Sequence, residues 1–318
     1  MASVSNLSLS SGVGPMYNKK QDELASQSTR QELKSAENRS EHILQVPKAH
    51  KVKWLSFPYI LWMAGFIIIP LVLIIFYGLT DKVDGFTLKN ITMIAEPINR
   101  RALFLALKLS IGSTVICLVL AYPLVMILNS LKMKNNSFIV LILILPMWMN
   151  SLLRTIAWQN ILERKGVLNS VLAFFHLPLL NIINTPAAII LGMVYNFLPF
   201  MVLPLYNVMV KIDRDVINSA RDLGANNVQT FLKIILPLSM PGVISGITMV
   251  FVPSLTTFVV STILGGSKIV LIGNVIEQQF RLGNWHTGSG LSLVLMVFIL
   301  LSMAILSKYD KEGEGNSL

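Results

Sequence analysis

The sequence has little charge and almost no cysteine. Only 13% of its 318 residues are charged, while 53% are hydrophobic; a soluble domain has about 25% charged residues. This composition excludes a soluble globular chain and a disordered one. The single cysteine, Cys117, excludes a disulfide framework and a cysteine zinc site. The composition therefore predicts an integral membrane protein with several spans.

The motifs of common enzyme classes are also missing. There is no G-x-x-x-x-G-K-[ST] to cradle a nucleotide phosphate, and no H-E-x-x-H to hold zinc. The four histidines are scattered along the chain. We therefore expect no catalytic residue, no metal site and no cofactor, and hence a protein that is not an enzyme. The formal charge of +10 reflects membrane topology rather than a nucleic-acid partner, because basic residues collect on cytoplasmic loops.

Long stretches without Asp, Glu, Lys or Arg predict six transmembrane helices in an all-α fold, since a span needs about 20 apolar residues. The spans are expected at about 55–79, 109–131, 137–158, 185–210, 241–264 and 288–307. They define a membrane domain over 55–308, preceded by a polar and mostly disordered tail (1–54) and followed by a short tail (309–318). The distribution of Lys and Arg predicts a multi-pass protein of the plasma membrane with both termini in the cytoplasm.

The predicted spans contain no carboxylate. No acidic residue occurs between Glu96 and Glu163, or between Asp222 and Glu277. Proton- and sodium-coupled carriers usually need an intramembrane carboxylate, so this absence weighs against an ion-coupled secondary carrier. It leaves open a carrier that binds its ion with backbone carbonyls. A transporter without its own coupling ion must take energy from another source.

The loop predicted at 211–240 is patterned. Asp213 or Asp215 can cap a helix, and apolar residues at helical spacing predict a short amphipathic helix. Gly224 can end that helix in the left-handed conformation. A second apolar stripe follows before the prolines that lead into the fifth span. An ordinary interfacial loop helix is the alternative interpretation.

The spacing in this loop resembles the E-A-A-x-x-x-G-x9-I-x-L-P signature of ABC importer permeases. Asn218, Ser219 and Ala220 stand at E-A-A, so the first two positions differ from the signature. The remaining matched positions, together with two neighbours assigned to the same coupling loop, are Asp222, Gly224, Ala225, Ile234, Leu236 and Pro237. The resemblance implies the type I ABC importer permease fold, with this loop as the helix that docks on an ATP-binding subunit.

Three further stretches resemble permeases for spermidine and putrescine, and the last is closest to their B-type subunit. They run from Pro146 to Trp158, from Leu198 to Tyr206 and from Leu264 to Trp285. The resemblance implies a subunit that forms half of the pore in an ATP-driven polyamine importer. The implied partners are two ATPase subunits, a second homologous permease chain, an extracytoplasmic substrate-binding protein and the lipid bilayer. An importer for ferric ion or sulfate, and an ion-coupled secondary carrier, remain alternatives.

Four residues are candidates for the translocation path or outer gate. Trp148 and Trp158 can face a cationic amine by cation–π attraction, or serve as interface and packing aromatics. Asn274 and Glu277 can contact the substrate or the delivery protein, or belong to a solvated loop.

Overall fold

A computed structural model describes residues 57–81, 85–130, 144–266 and 268–315. The predicted tail over 1–54 lies outside these ranges. Of the described residues, 57–70 belong to one unit and 71–315 to a second. In the first unit, α1 (Phe57–Met63) leads into a π-helical turn (Ala64–Ile68). The ring of Trp62 stacks on Phe66, with the ring centroids 5.6 Å apart.

The remaining described elements are helical apart from one short β-hairpin. They are α2 (Ile69–Leu79), β1 (Thr80–Asp81), β2 (Gly85–Phe86), α3 (Lys89–Thr92), a 3-10 turn (Met93–Ala95), α4 (Pro97–Ser130), a 3-10 turn (Leu145–Trp148), α5 (Ser151–Leu162), α6 (Val167–Phe174), α7 (Pro186–Met209), α8 (Arg214–Asp222), α9 (Asn227–Thr230), a π-helical turn (Phe231–Ile235), α10 (Leu236–Thr256), α11 (Val259–Leu264), α12 (Ile272–Arg281) and α13 (Trp285–Gly315). The strands β1 and β2 pair antiparallel, with Thr80 opposite Phe86.

Within the described ranges, five helices are long and apolar enough to cross a membrane. They are Pro58–Leu79, Pro97–Asn129, Pro186–Met209, Asn227–Thr256 and Trp285–Leu306. Six predicted spans are consistent with this finding, because the third predicted span begins at 137–143, outside the described residues. The described remainder of that span is not one continuous helix. Met149 is extended, and the Asn150 side chain accepts a hydrogen bond from the Leu152 amide to begin α5.

Two helices begin earlier than the apolar runs predicted. Helix α4 starts at Pro97 rather than near residue 109. Its first three turns carry Arg100, Arg101 and Lys108, which interrupt the apolar run but not the helix. The helix that contains α10 runs from Asn227 to Thr256, whereas a span over 241–264 was expected. Pro237 does not interrupt it: this proline follows the π-helical turn directly, and a local π-helical adjustment satisfies the backbone groups that a proline frees.

The core of the second unit is built on α4, α7 and α10, which pack against one another. One apolar cluster includes Ala106, Met193 and Leu271, and a second includes Val125, Leu205 and Val243. The close contact between α7 and α10 depends on small residues in α10. A Cβ added at Gly242 would lie 3.0 Å from the Pro204 carbonyl oxygen, and one at Gly246 would lie 2.6 Å from the Met201 sulfur. These glycines let the two helices approach closely.

Candidate functional site

The loop between α7 and α10 is a helix–turn–helix with defined ends. Helix α8 begins at Asp213, whose carboxylate accepts a hydrogen bond from the Asp215 amide at 2.9 Å. Such a cap satisfies an amide at the helix start that has no partner within the helix. The sequence prediction of an aspartate cap is confirmed, and the cap is Asp213.

Helix α8 ends in a Schellman turn at Gly224. The Gly224 amide donates to the Arg221 carbonyl at 2.9 Å, and the Ala225 amide donates to the Ala220 carbonyl at 3.0 Å. Gly224 has φ +87°, the left-handed conformation that glycine adopts without steric cost. The prediction that Gly224 ends the helix is confirmed. An added Cβ would meet nothing within 4 Å, so the requirement for glycine here comes from the backbone rather than from crowding.

The second helical segment of the loop starts with a reciprocal cap. The Asn226 side chain accepts from the Gln229 amide at 2.8 Å, and the Gln229 side chain accepts from the Asn226 amide at 3.0 Å. This capping box fixes the start of α9. The π-helical turn and α10 continue from α9, so the second half of the loop is joined by helix directly to a candidate span.

The inner face of the loop packs beneath the candidate spans. Ile212, Phe231, Ile235 and Leu236 lie against the second apolar cluster, which is contributed by α4, α7 and α10. The ring of Phe231 meets Tyr122 of α4 edge-on, with the centroids 5.1 Å apart. Such apolar and aromatic contacts hold the loop to all three helices at once.

Hydrogen bonds add two polar links between the loop region and α4. Arg214 donates from Nη2 to the Asn129 carbonyl at 2.9 Å, and the Tyr122 hydroxyl is hydrogen-bonded to the Ser239 hydroxyl. The Asn129 amide group also donates to the Met209 carbonyl at 3.4 Å. The Arg214 cation lies at the carboxyl end of α4, where the helix dipole favours positive charge. Arg214 therefore joins the start of α8 to the end of α4.

The outer face of the loop is apolar and exposed. Helix α8 has no buried residue, and Val216, Val228 and Leu232 are exposed large hydrophobic side chains. Leu223, at the end of α8, is 89% exposed. We call Val216, Leu223, Val228 and Leu232 the exposed loop face. An apolar surface of this kind, held on a fixed backbone, is typical of a protein interaction site.

The residues assigned to the coupling loop by sequence divide between the two faces. Those that are exposed are Asn218, Ser219, Asp222, Gly224 and Pro237; those that are half-buried are Ala220, Ala225, Ile234 and Leu236. Of the half-buried positions, Leu236 packs against the second apolar cluster. Of the exposed positions, Asp222 and Gly224 are the chain neighbours of Leu223 in the exposed loop face.

The four candidates for the translocation path are not brought together. Trp158 packs edge-on against Tyr195 at 5.3 Å and lines an apolar groove between α4 and α7, while Glu277 lines a different cavity, among α10, α12 and α13. Trp148 is exposed on the 3-10 turn before α5. Glu277 forms an ion pair with Arg281 one turn later.

Asn274 has a structural role that the sequence did not reveal. Its side-chain oxygen accepts from the Ser261 hydroxyl at 2.6 Å and from the Leu271 amide at 3.0 Å. Its side-chain nitrogen donates to the Phe258 carbonyl at 3.1 Å and to the Thr262 hydroxyl at 2.8 Å. Through these four bonds the Asn274 side-chain amide joins α11 to the start of α12. Only the folded contacts between the two helices could reveal them.

Arg154 is a buried cation for which the described residues provide no ion-pair partner. It is 8% exposed, and its Nε and Nη1 atoms are buried without a hydrogen-bond acceptor. It lies in the first turn of α5, where the helix dipole disfavours a cation. The side-chain oxygen of the buried Asn196 also lacks a partner. An unpaired charge at such a depth is costly and is typical of a functional position in a membrane protein.

These features define a polytopic membrane protein with a helix–turn–helix loop whose outer face is apolar and exposed. The family described as "Binding-protein-dependent transport system inner membrane component" matches residues 43–309, and the chain belongs to this family. It is 38% identical over 253 residues to the spermidine/putrescine transport system permease protein PotB of Escherichia coli, covering 77% of this chain and 92% of that relative. It is 36% identical over 261 residues to PotB of Haemophilus influenzae, covering 79% and 91%.

Solved structures show the same fold. A bacterial ABC transporter that imports the acidic polysaccharide alginate matches with a TM-score of 0.67 at 17% identity, over 82% of this chain and 96% of that chain. The bacterial alginate transporter in complex with its alginate pentasaccharide-bound periplasmic protein matches with a TM-score of 0.65. The chain therefore has the fold of ABC importer permeases. Its family and its PotB relatives identify it as a membrane transport component.

Proposed function

We propose that this chain is the permease subunit of an ATP-driven importer for polyamines, of the spermidine and putrescine class. The single observation that carries the substrate class is its identity of 36–38% to PotB permeases over more than 90% of their length. Of the four candidates for the translocation path, Asn274 and Glu277 are engaged by other groups of the chain, whereas Trp148 and Trp158 offer aromatic rings. Aromatic faces attract amine cations, so the two tryptophans suit such a substrate.

The exposed loop face is the docking surface for an ATPase subunit. Its apolar side chains surround the Schellman turn at Gly224, and its inner side is fixed to α4, α7 and α10. Closure of two ATPase subunits moves this loop, and the loop moves the helices through Arg214 and the Phe231 contact. The matched loop positions therefore act in coupling rather than in catalysis, and ATP is hydrolysed on the partner chain.

The remaining features of the assembly follow from this arrangement. The coupling loop over 211–240 lies in the cytoplasm, and both termini lie on the same side. A second homologous permease completes the pore, and an extracytoplasmic binding protein delivers the solute. None of the five candidate spans contains Asp or Glu. We therefore assign most of the selectivity for a polycation to the binding protein.

Affinity purification of the tagged full-length chain from its native membrane tests the assembly. Mass spectrometry is expected to find a second permease and an ATPase in near-stoichiometric amounts. The accompanying binding protein is expected to bind spermidine or putrescine in calorimetry. Recovery of the chain alone, under conditions that keep a known importer intact, would contradict the assembly. A binding protein that takes sulfate or ferric ion instead would retain the importer and overturn the polyamine assignment.

A further inference from the structure

The first turns of α4 carry a cluster of exposed cations. Arg100, Arg101 and Lys108 are exposed, and with Phe104 and Leu105 they line a groove of about 520 Å³. Among the residues that the structure describes, the one salt bridge joins Arg281 to Glu277, so none of these three cations is paired with a described carboxylate. We call these five residues the basic groove.

The basic groove occupies one side of the helix. With 3.6 residues per turn, its five residues fall within an arc of about 140°. Lys108 lies about 12 Å further along the axis than Arg100. A lysine at this position can extend its four-carbon stem and bring its ammonium group back towards the arginines. One anionic group can therefore contact all three cations.

An exposed apolar surface continues along α4 from the basic groove. Ile111, Val115 and Val119 are exposed on that side of the helix, within the candidate span Pro97–Asn129. Ile116 and Leu120 line a second, apolar groove of about 560 Å³ with residues of α7. The helix thus presents positive charge at one end and a hydrocarbon-like surface beyond it. This arrangement matches a ligand with an anionic head and long apolar chains.

The position of the groove specifies the side of the membrane. The far end of α4 carries Asn129, which is bonded to Arg214 of the coupling loop. Arg100 lies about 45 Å from that end along the helix axis, which exceeds the roughly 30 Å hydrocarbon core. The basic groove therefore lies at the membrane surface opposite the coupling loop.

We propose that α4 binds an anionic glycerophospholipid, with the phosphate in the basic groove and an acyl chain along Ile116 and Leu120. Guanidinium groups bind phosphate oxygens in bidentate geometry, and lysine adds a point charge. The groove contains no carboxylate, so it favours a headgroup with net negative charge over a zwitterionic one, whose own cation it repels. The same charge could attract an acidic protein loop, but the apolar surface that continues from it favours an amphiphile.

Native mass spectrometry of the purified full-length chain tests this site. The protein is mixed with phosphatidylglycerol or with phosphatidylcholine of the same acyl chains. We expect the wild type to retain phosphatidylglycerol preferentially. The variant Arg100→Gln/Arg101→Gln/Lys108→Gln is expected to lose this retention by about tenfold or more, because each basic side chain contributes to anionic lipid binding.

The matched control removes three exposed cations elsewhere. Arg164→Gln/Lys165→Gln/Lys268→Gln changes the net charge equally, at positions that precede α7 or follow α11 and so lie at the same membrane surface. This control is expected to bind phosphatidylglycerol like the wild type. The proposal would be overturned if both variants lost phosphatidylglycerol retention equally, or if the wild type retained the two lipids equally.

A cross-linking measurement keeps the proposal testable if the triple variant does not fold. Phe104 is 71% exposed within the basic groove. A photoreactive benzoylphenylalanine is introduced in its place, and the full-length chain is irradiated in its native membrane. The expected adduct has the mass of an anionic phospholipid. An adduct with another protein chain would overturn the lipid assignment and identify the surface as a subunit contact.

Discussion

Two short amphipathic helices lie outside the five candidate spans, and they differ in whether their apolar faces are buried. Helix α8 has no buried residue, and its apolar side chains belong to the exposed loop face. Helix α12 buries Ile272, Gly273 and Val275, and Asn274 fixes it to α11. Amphipathicity therefore indicates that an apolar face will be covered, but not by what. In α12 the cover is the chain itself, whereas in α8 we propose that it is a partner.

The largest expected effect is on folding. It is measured by replacing a valine with glutamate in each of the two helices in turn. Val275→Glu places a charge at a position that is 7% exposed, and a buried charge without a partner costs about 3–5 kcal/mol. We expect a loss of folded protein, or a strongly lowered thermal midpoint of the full-length chain in detergent. Val216→Glu, on the exposed face of α8, is expected to leave the midpoint unchanged. Similar destabilisation by both substitutions would remove the distinction between the helices.

The second effect is on coupling rather than on stability. Leu223→Glu puts a charge at the centre of the exposed loop face and should cost about 2 kcal/mol or more in ATPase binding, or about thirtyfold in affinity. We expect ATPase subunits to be lost on purification and spermidine uptake to fall, while the chain still inserts. Leu223→Met, which keeps an apolar side chain, is the control. Normal uptake by Leu223→Glu would show that this face does not dock the ATPase.

Arg154 is a buried group whose Nε and Nη1 atoms have no hydrogen-bond partner among the described residues, so it can be compared with the buried face of α12. Arg154→Met removes the unpaired guanidinium while keeping an apolar side chain. We expect the thermal midpoint of the isolated chain to rise by an amount equivalent to about 2 kcal/mol. Arg164→Met, at an exposed position nearby, should leave it unchanged. A lower midpoint for Arg154→Met would mean that the cation is stabilised within the chain after all.

The smallest expected effect is local, at the turn that shapes the exposed loop face. Gly224→Val forces a β-branched residue into the left-handed region at a cost of about 1–2 kcal/mol. Hydrogen exchange at the Leu223 and Ala225 amides should become roughly tenfold faster. Gly224→Asn, which tolerates this conformation, is the control. Equal exchange rates in the two variants would show that the positive φ is not required.

The sequence was sufficient for features that depend on local chemistry. The apolar runs predicted the membrane class, and the loop pattern predicted both the Asp213 cap and the end of α8 at Gly224. The predictions of the cap and of the helix end are confirmed because each of these features depends on a few neighbouring residues. The resemblance of the loop to importer permeases also led to the family that the comparisons show.

The failures concern features that hydropathy and helical periodicity alone do not reveal. The start of α4 was placed too late, because hydropathy ends at Lys108 while the helix continues back to Pro97. The four bonds of Asn274 depend on how α12 folds back onto α11, and the helix that carries the buried Arg154 packs against α7 and α11. The local pattern around either residue does not contain this information. The break at Met149 had a local signal in the Asn150–Ser151 helix start, which the long apolar run concealed.

The most direct test of the account is spermidine uptake into proteoliposomes. They contain the complex purified through this chain, together with its binding protein, and radiolabelled spermidine is supplied on the binding-protein side. The account predicts accumulation that requires ATP on the loop side, persists without an ion gradient, and is lost in Leu223→Glu but not in Leu223→Met. Accumulation that proceeds without ATP and follows an ion gradient would contradict it.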